Sequence, residues 1–412
     1  YTMLPPTRID EHNNAIWVTD FGPVKGIPGI WAADPHDYDD PLAFHNRVFG
    51  NTQKVDTPGA SWTVGIDEKT TALQANFEQG IVSGNLGIRI IDTELTIKQN
   101  VTGDSIEHSG SSIDVGDVLT KRNYTDYLPS LNLSVDITED LKFRAAAAKT
   151  MMALDLAQWG GSKSVGKALD ASCNCMRVRE GALNGNTELN PWRAKNYEMS
   201  LEWYQGTASM VSAGLFRIEI DSFTRPGTIS VDEPDADGIK RGPWPFTTQV
   251  QGDGGEIDGI EVGTKLAFSD FTDLNFVSNL GLDLNYTFAD SSQPTKDIDG
   301  KANPFPQNSK NTYDIVGWYE NDRLSARLAY NYRSDRLVEI GGSGIAGQNL
   351  YQDDYAQLDL SVSYDFTDNL SVYVNGSNIL EEYEQNYLQY EEQVAFQNIY
   401  EARWAAGVRF TF

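Results

Sequence analysis

The chain has 412 residues, with 32 basic against 59 acidic side chains and a formal net charge of −27. That balance excludes a duplex nucleic-acid binder, which replaces counterions with clustered Lys and Arg. Two cysteines exclude a disulfide-rich scaffold, and no run nears the ~18 consecutive apolar residues of a transmembrane helix. A hydrophobic content of 40% sustains either a large core or an apolar outer skin.

Residues 1–69 open without an initiator Met, a basic segment or a signal-like apolar run, so Tyr1 reads as the start of a mature or truncated piece. This region holds Trp17, Trp31, Trp62 and the string from Asp34 to Asp40. Such oxygen-rich strings suit Ca²⁺, but the EF-hand spacing is missing. The expectation is a solvated acidic loop.

From residue 70 the pattern changes to period two. Leu280, Leu282, Leu284, Tyr286 and Phe288 alternate with Gly281, Asp283, Asn285 and Thr287, and similar runs start at Leu324 and Ala356. Side chains on a strand alternate faces, so each run has one apolar and one polar side. Thirteen strands are expected, near 70–79, 84–100, 121–137, 141–151, 191–204, 209–225, 256–268, 275–289, 311–320, 323–333, 355–366, 370–378 and 402–412. Many are longer than the ~5–6 residues of ordinary strands and match the ~9–11 needed to cross a bilayer at a tilt.

The connections alternate in length. Short ones fall at 80–83, 138–140, 205–208, 269–274, 321–322 and 367–369. Long ones fall at 101–120, 152–190, 226–255, 290–310, 334–354 and 379–401. Tight turns at one end and elaborated loops at the other fit an antiparallel up-and-down transmembrane β-barrel. A soluble sandwich or propeller is the alternative, and it has no reason to sort its loops by length. Mid-strand charges such as Arg144, Glu261 and Arg327 would then line a wet lumen.

Ligand candidates lie in the long loops, where function is grafted onto such scaffolds. Loop 152–190 and its exit supply Trp159, Arg177, Arg179 and Trp192; the 226–255 region supplies Arg225, Arg241, Trp244 and Phe246. Aromatic faces suit sugar rings, and Arg suits carboxylate or phosphate. Cys173 and Cys175 flank one residue, and an oxidising compartment favours a bridge between them. Gly161 to Lys167 approaches a phosphate-binding loop, but Ala168 stands where Ser or Thr would hold Mg²⁺. No HExxH or GxSxG occurs, so neither catalytic chemistry nor a cofactor is expected.

The last residues, Trp404, Ala406, Val408, Phe410 and Phe412, alternate around Gly407. This ending resembles the assembly signal of bacterial outer-membrane barrels, with Gly407, Phe410 and Phe412 in its key places. Upstream, Tyr127-Leu-Pro-Ser-Leu-Asn-Leu133 followed by Leu141-Lys-Phe-Arg-Ala145, and Gly185-Asn-Thr-Glu-Leu-Asn-Pro191 leading to Asn196-Tyr-Glu198, resemble phrases of TonB-dependent receptors. The resemblance runs from about Tyr124 to Phe412. It implies a barrel of about 22 strands around a plug, of which this chain supplies the C-terminal portion. Residues 1–69 then form an extracellular loop region, and 70–412 the C-terminal strands.

The resemblance further implies residence in the outer membrane of a Gram-negative bacterium. Its partners there are outer-membrane lipid and lipopolysaccharide, the protein's own plug domain, and the inner-membrane TonB energy-coupling complex, with surface or periplasmic solute-binding proteins as further candidates. The expected function is energised uptake of a bulky, scarce solute. Acidic, aromatic-rich loops favour an oligosaccharide over a ferric siderophore, because the overall charge steers anions away. Siderophore or other metal-chelate uptake by the same fold, and a soluble secreted glycan-binding protein, are the alternatives.

Overall fold

The computed structural model describes residues 15–19, 28–34, 36, 39–49, 61–105, 112–161, 163–235, 237–341 and 348–411. In chain order, β1 (Ala15–Val18) and β2 (Ile30–Ala33) pair as a hairpin, followed by helix α1 (Pro41–Phe49). Trp17 and Trp31 meet edge to face across the hairpin at 5.2 Å. Of the acidic string, Asp34 and Asp39 bond to His36, and the Asp40 carboxylate accepts from the Ala43 N–H at the start of α1. Pro35, Asp37 and Tyr38 lie outside the described residues.

Long strands follow: β3 (Trp62–Gln79), β4 (Val82–Ser105), β5 (Ser112–Asp136) and β6 (Leu141–Met152). Short helix α2 (Leu156–Trp159) leads to the hairpin of β7 (Lys163–Asp170) and β8 (Cys175–Leu183). Then come β9 (Trp192–Gln205), β10 (Ser209–Val231), β11 (Trp244–Ala267), β12 (Leu280–Ser292), β13 (Asn311–Glu320) and β14 (Leu324–Arg333). The chain finishes with β15 (Arg336–Glu339), β16 (Leu350–Gln352), β17 (Tyr355–Thr367), β18 (Leu370–Ser377), β19 (Glu384–Leu388), β20 (Val394–Asn398) and β21 (Arg403–Phe410).

Removing β7 and β8 from the 15-stranded sheet leaves thirteen strands in sequence order, each antiparallel to the next. They form an open arc of barrel wall: among the described residues, β3 pairs only with β4 and β21 only with β18. One face of the arc is apolar. The rung Trp203, Val211, Thr264, Leu284, Ile315, Tyr330, Leu358 runs straight across seven strands. The same face is open at both ends of the arc, with Leu73 of β3 71% and Val408 of β21 67% exposed, as expected of surfaces whose solvent is lipid. The opposite face carries Arg144 paired with Glu202 at 3.0 Å, together with Asn85, Asn132, Glu198 and Glu261 around a 930 Å³ inner cavity.

Several expected boundaries move. The first long strand starts at Trp62 rather than 70. Residues 101–120 and 226–255, read as loops, are mostly strand: the β10–β11 ladder continues up to Val231 opposite Trp244. At ~3.4 Å per residue the 24 residues of β11 reach about 80 Å, against an apolar band of ~25 Å, so half of this hairpin stands clear of the membrane. Polar residues on both faces there broke the period-two signal. Conversely, 268–279 forms a turn in which Asp270 accepts from the Thr207 and Ala208 N–H groups, both at 3.1 Å, and ties two turns together. Gly206 in the partner turn has φ +60, and a Cβ there would lie 2.2 Å from the Asp270 carboxylate. Phe412 lies outside the described residues.

Candidate functional site at the loop end

The β7–β8 hairpin folds across the long-loop end. β7 touches β4 at Val101 opposite Lys163, and β8 runs parallel to β11 at Phe246 opposite Gly181. The Thr102 hydroxyl donates to the Lys163 carbonyl at 3.0 Å, and the Gln99 amide to that of Gly161 at 3.1 Å. The hairpin thereby closes a circuit of eight strands, in the order β4, β5, β6, β9, β10, β11, β8, β7. Gly181 is needed for this approach, because a Cβ there would sit 2.2 Å from the Phe246 ring.

A small core fills the circuit: Leu95, Ile97, Leu154, Trp159 and Leu189 are buried, with Trp192 packed against them. The Trp159 indole donates to the Leu189 carbonyl at 2.9 Å. The Gly185–Pro191 phrase explains itself here. Arg122 donates to the Thr187 and Leu189 carbonyls and to the Asn190 side chain, while Asn186 and Asn190 bond to Gln249 and Gln251 of β11. Asp126 is buried, and its two carboxylate oxygens accept from Nε and Nη2 along one edge of the Arg193 guanidinium. Arg122, Asp126 and Arg193 escaped the sequence reading; their only signal was a charge among otherwise ordinary strand residues.

A cluster of charges occupies the seam between hairpin and β10–β11. Arg177 pairs with Asp170 at 3.0 Å and Asp235 at 3.3 Å; Arg241 pairs with Asp235 at 2.6 Å and Asp237 at 2.7 Å; Lys163 pairs with Glu233. Asp235 also accepts from the Val178 N–H at 2.7 Å. The Ser172 hydroxyl and N–H, followed by Arg177, hold the Asp170 carboxyl down at about 2. The Val178 N–H and then the two arginines lower Asp235, and Arg241 foremost lowers Asp237. These partners in turn raise Arg241.

The expected ligand groups thus separate. Arg177, Arg179, Arg241 and Trp244 come together at the seam, where the exposed Arg179 guanidinium lies 5.1 Å over the Trp244 ring. Trp159 is fully buried, and Phe246 likewise. Trp192 stands edge to face with Phe223 and donates to Thr224 at 3.3 Å. Arg225 is exposed and donates to the neighbouring Pro226 carbonyl at 3.4 Å. Cys173 and Cys175 are joined by a disulfide at the hairpin tip. The Gly161–Lys167 stretch runs into strand β7, with no helix to cradle a phosphate.

The remaining long loops build a second cover, the sheet β15-β16-β19-β20. It is rich in amides and tyrosines: buried Asn349 donates to Asn303 at 2.7 Å, and Tyr351 stacks on Tyr387 at 5.6 Å. Burial and the nearby Asp353 and Asp354 push the Asp335 carboxyl up. Among the described residues no cluster of three or more His, Cys, Asp or Glu side chains could hold a metal ion.

Long antiparallel strands with a lipid-compatible outer face, a polar inner face and covers at one end define a membrane-spanning β-barrel wall. A family model described as TonB dependent receptor-like β-barrel matches residues 8–379. The chain belongs to the TonB-dependent receptor family and is part of its barrel in the outer membrane. Among solved structures, the ferric-catecholate import receptor Fiu from E. coli K12 is similar with a TM-score of 0.57 and 15% identity, over 93% of this chain and 49% of that one. The siderophore receptor PiuA from Acinetobacter baumannii gives 0.54 and 15%, over 84% and 43%; the ferric citrate transporter FecA gives 0.53 and 14%, over 84% and 45%. The chain spans about half the length of these receptors, and the likeness is one of fold. No curated protein matches it.

Proposed function

We propose that this chain forms the C-terminal wall and outer covers of an energy-coupled importer of a bulky solute, and that the solute is an oligosaccharide. In this reading the plug occupies the lumen, the TonB complex pulls on it from the inner membrane, and solute-binding proteins deliver or receive the cargo. The receptor performs no covalent chemistry and needs no cofactor. The carrying observation is the state of the seam cations: Arg177, Arg241 and Lys163 are already matched by Asp170, Asp235, Asp237 and Glu233. An anionic chelate entering there would have to displace carboxylates, whereas a neutral polyol hydrogen-bonds to ion pairs without separating them. The amide- and tyrosine-rich second cover suits the same chemistry.

Arg179 favours the second reading, ferric-siderophore uptake, because no carboxylate among the described residues pairs with it. Growth separates the two. Replacing Arg179→Ala and Trp244→Ala in the full-length receptor is expected to slow growth on an oligosaccharide as sole carbon source and leave growth on a ferric chelate as sole iron source unchanged. The converse pattern would transfer the assignment to the chelate. Unchanged growth on both would remove Arg179 and Trp244 as ligand groups.

A further inference from the structure

The second cover holds an amide that the fold leaves unused. Asn386 of β19 is 3% exposed, and its side chain makes no hydrogen bond among the described residues. The other buried asparagines there, Asn303, Asn349 and Asn378, all donate, to the Thr295 hydroxyl, the Asn303 side chain and the Glu382 carbonyl. A buried amide without partners is destabilising, and folded proteins keep few of them.

The register places this amide on a polar surface. Gln352 of β16 lies opposite Asn386 on one side and Phe396 of β20 on the other. Side chains two apart on a strand share a face, so Glu384 and its partner Asn398 lie on the same side of the sheet. Glu384 accepts from Gln352 at 2.7 Å, Tyr400 at 2.9 Å and Asn398 at 3.2 Å, and Arg336 donates to Gln352 at 3.0 Å. That network fixes its members and leaves the Asn386 amide beside it with its acceptor and both donor hydrogens unassigned. Directly across, Phe396 is 49% exposed. Asn386 opposes Phe396 while Tyr387 opposes Val394, so Ala395 is an extra residue. Such bulges re-aim side chains and gather next to functional sites.

We propose that Asn386 and Phe396 form a subsite for one pyranose unit of a neutral oligosaccharide, with the C–H face of the ring on Phe396 and two adjacent hydroxyls on the Asn386 amide. The subsite rests on the oligosaccharide reading above and adds a contact on a different cover from Arg179 and Trp244. An amide carries a donor beside an acceptor, which a vicinal diol matches and a lone anion does not. An aromatic face covers the apolar side of a sugar without calling for charge. The flanking charges, Arg336 and Glu384, are of opposite sign and give no preference for an anion.

The test uses the full-length receptor in mild detergent, titrated calorimetrically with neutral hexasaccharides of glucose, mannose, xylose and galactose. At least one is expected to bind wild type. Phe396→Ala and Asn386→Leu should each weaken that binding about tenfold, and Phe396→Tyr should keep it. Phe396 is exposed, so its truncation leaves the fold intact even where Asn386→Leu does not. Unchanged binding by either folded variant would overturn the subsite and leave the oligosaccharide reading standing. Binding of none of the four sugars by wild type would overturn both. Phe396→Cys should react with a maleimide in the sugar-free receptor; resistance would overturn the subsite, because another part of the receptor would then cover this face.

Discussion

Trp159 offers the most direct test of how the loop end is held. Its indole has no exposed surface and sits among Leu95, Ile97, Leu154 and Leu189. Burying a Trp side chain removes about 150–250 Å² from water, roughly 4–6 kcal/mol at ~25 cal/mol per Å². Truncation to Ala leaves a cavity that the loop closes in part, so the measured cost should be about 3–5 kcal/mol, which includes the hydrogen bond to Leu189. About 4 kcal/mol corresponds to a roughly thousandfold larger opening constant. Hydrogen exchange in detergent should show this as lost protection confined to residues 153–191, including the Asn186 amide that bonds to the Gln158 carbonyl. The β12–β13 ladder should keep its protection, because it shares no contact with this core. Trp159→Phe should recover most of the loss. Protection of 153–191 within about threefold of wild type in Trp159→Ala would refute the view that this indole anchors the loop.

The seam should respond to acid. Asp170 is held down at about 2, Asp235 lies below its ordinary 3.8, and Asp237 lies lower than Asp170; the stabilisation their charged forms give is complete above about pH 5 and is lost progressively as pH falls below about 4, with Asp170 half protonated near pH 2 and Asp237 the last to go. Pepsin should therefore cut within 163–183 at pH 2 and leave it intact at pH 4.5, and equal cutting at both would remove the seam as a latch. At the last strand, a Cβ on Gly407 would lie 2.4 Å from the Tyr373 hydroxyl. Gly407→Val should cost about 1–3 kcal/mol by overpacking and reduce the heat-modifiable folded band, and Tyr373→Ser should restore it. A loss that Tyr373→Ser does not relieve would assign Gly407 to recognition during assembly instead.

The period-two runs carried the barrel wall because they record something local: each residue faces either lipid or lumen, and the alternation needs no knowledge of the partner strand. Leu280 to Phe288 and Ala356 to Phe366 reveal their strands this way, and the tight turns at Gly80 and Gly206 set the hairpins. Where both faces are wet, as above the membrane in β10 and β11, that alternation disappears, and Pro226–Val231 passed for loop. The site was less legible because its chemistry depends on which distant residues the register brings together. Arg177 meets Asp235 across 58 positions and Arg122 meets Leu189 across 67. Nothing in the sequence distinguished the paired Arg177 from the exposed Arg179, or the buried Trp159 from the half-exposed Trp244. Sequence alone determined the thirteen wall strands within the membrane, their order and their two faces, since these follow from side-chain polarity one residue at a time, but not the six short strands of the covers, which lie in stretches read as loops. Only the folded hairpin decided which charges neutralise one another and which aromatic rings face solvent, since those are properties of pairs.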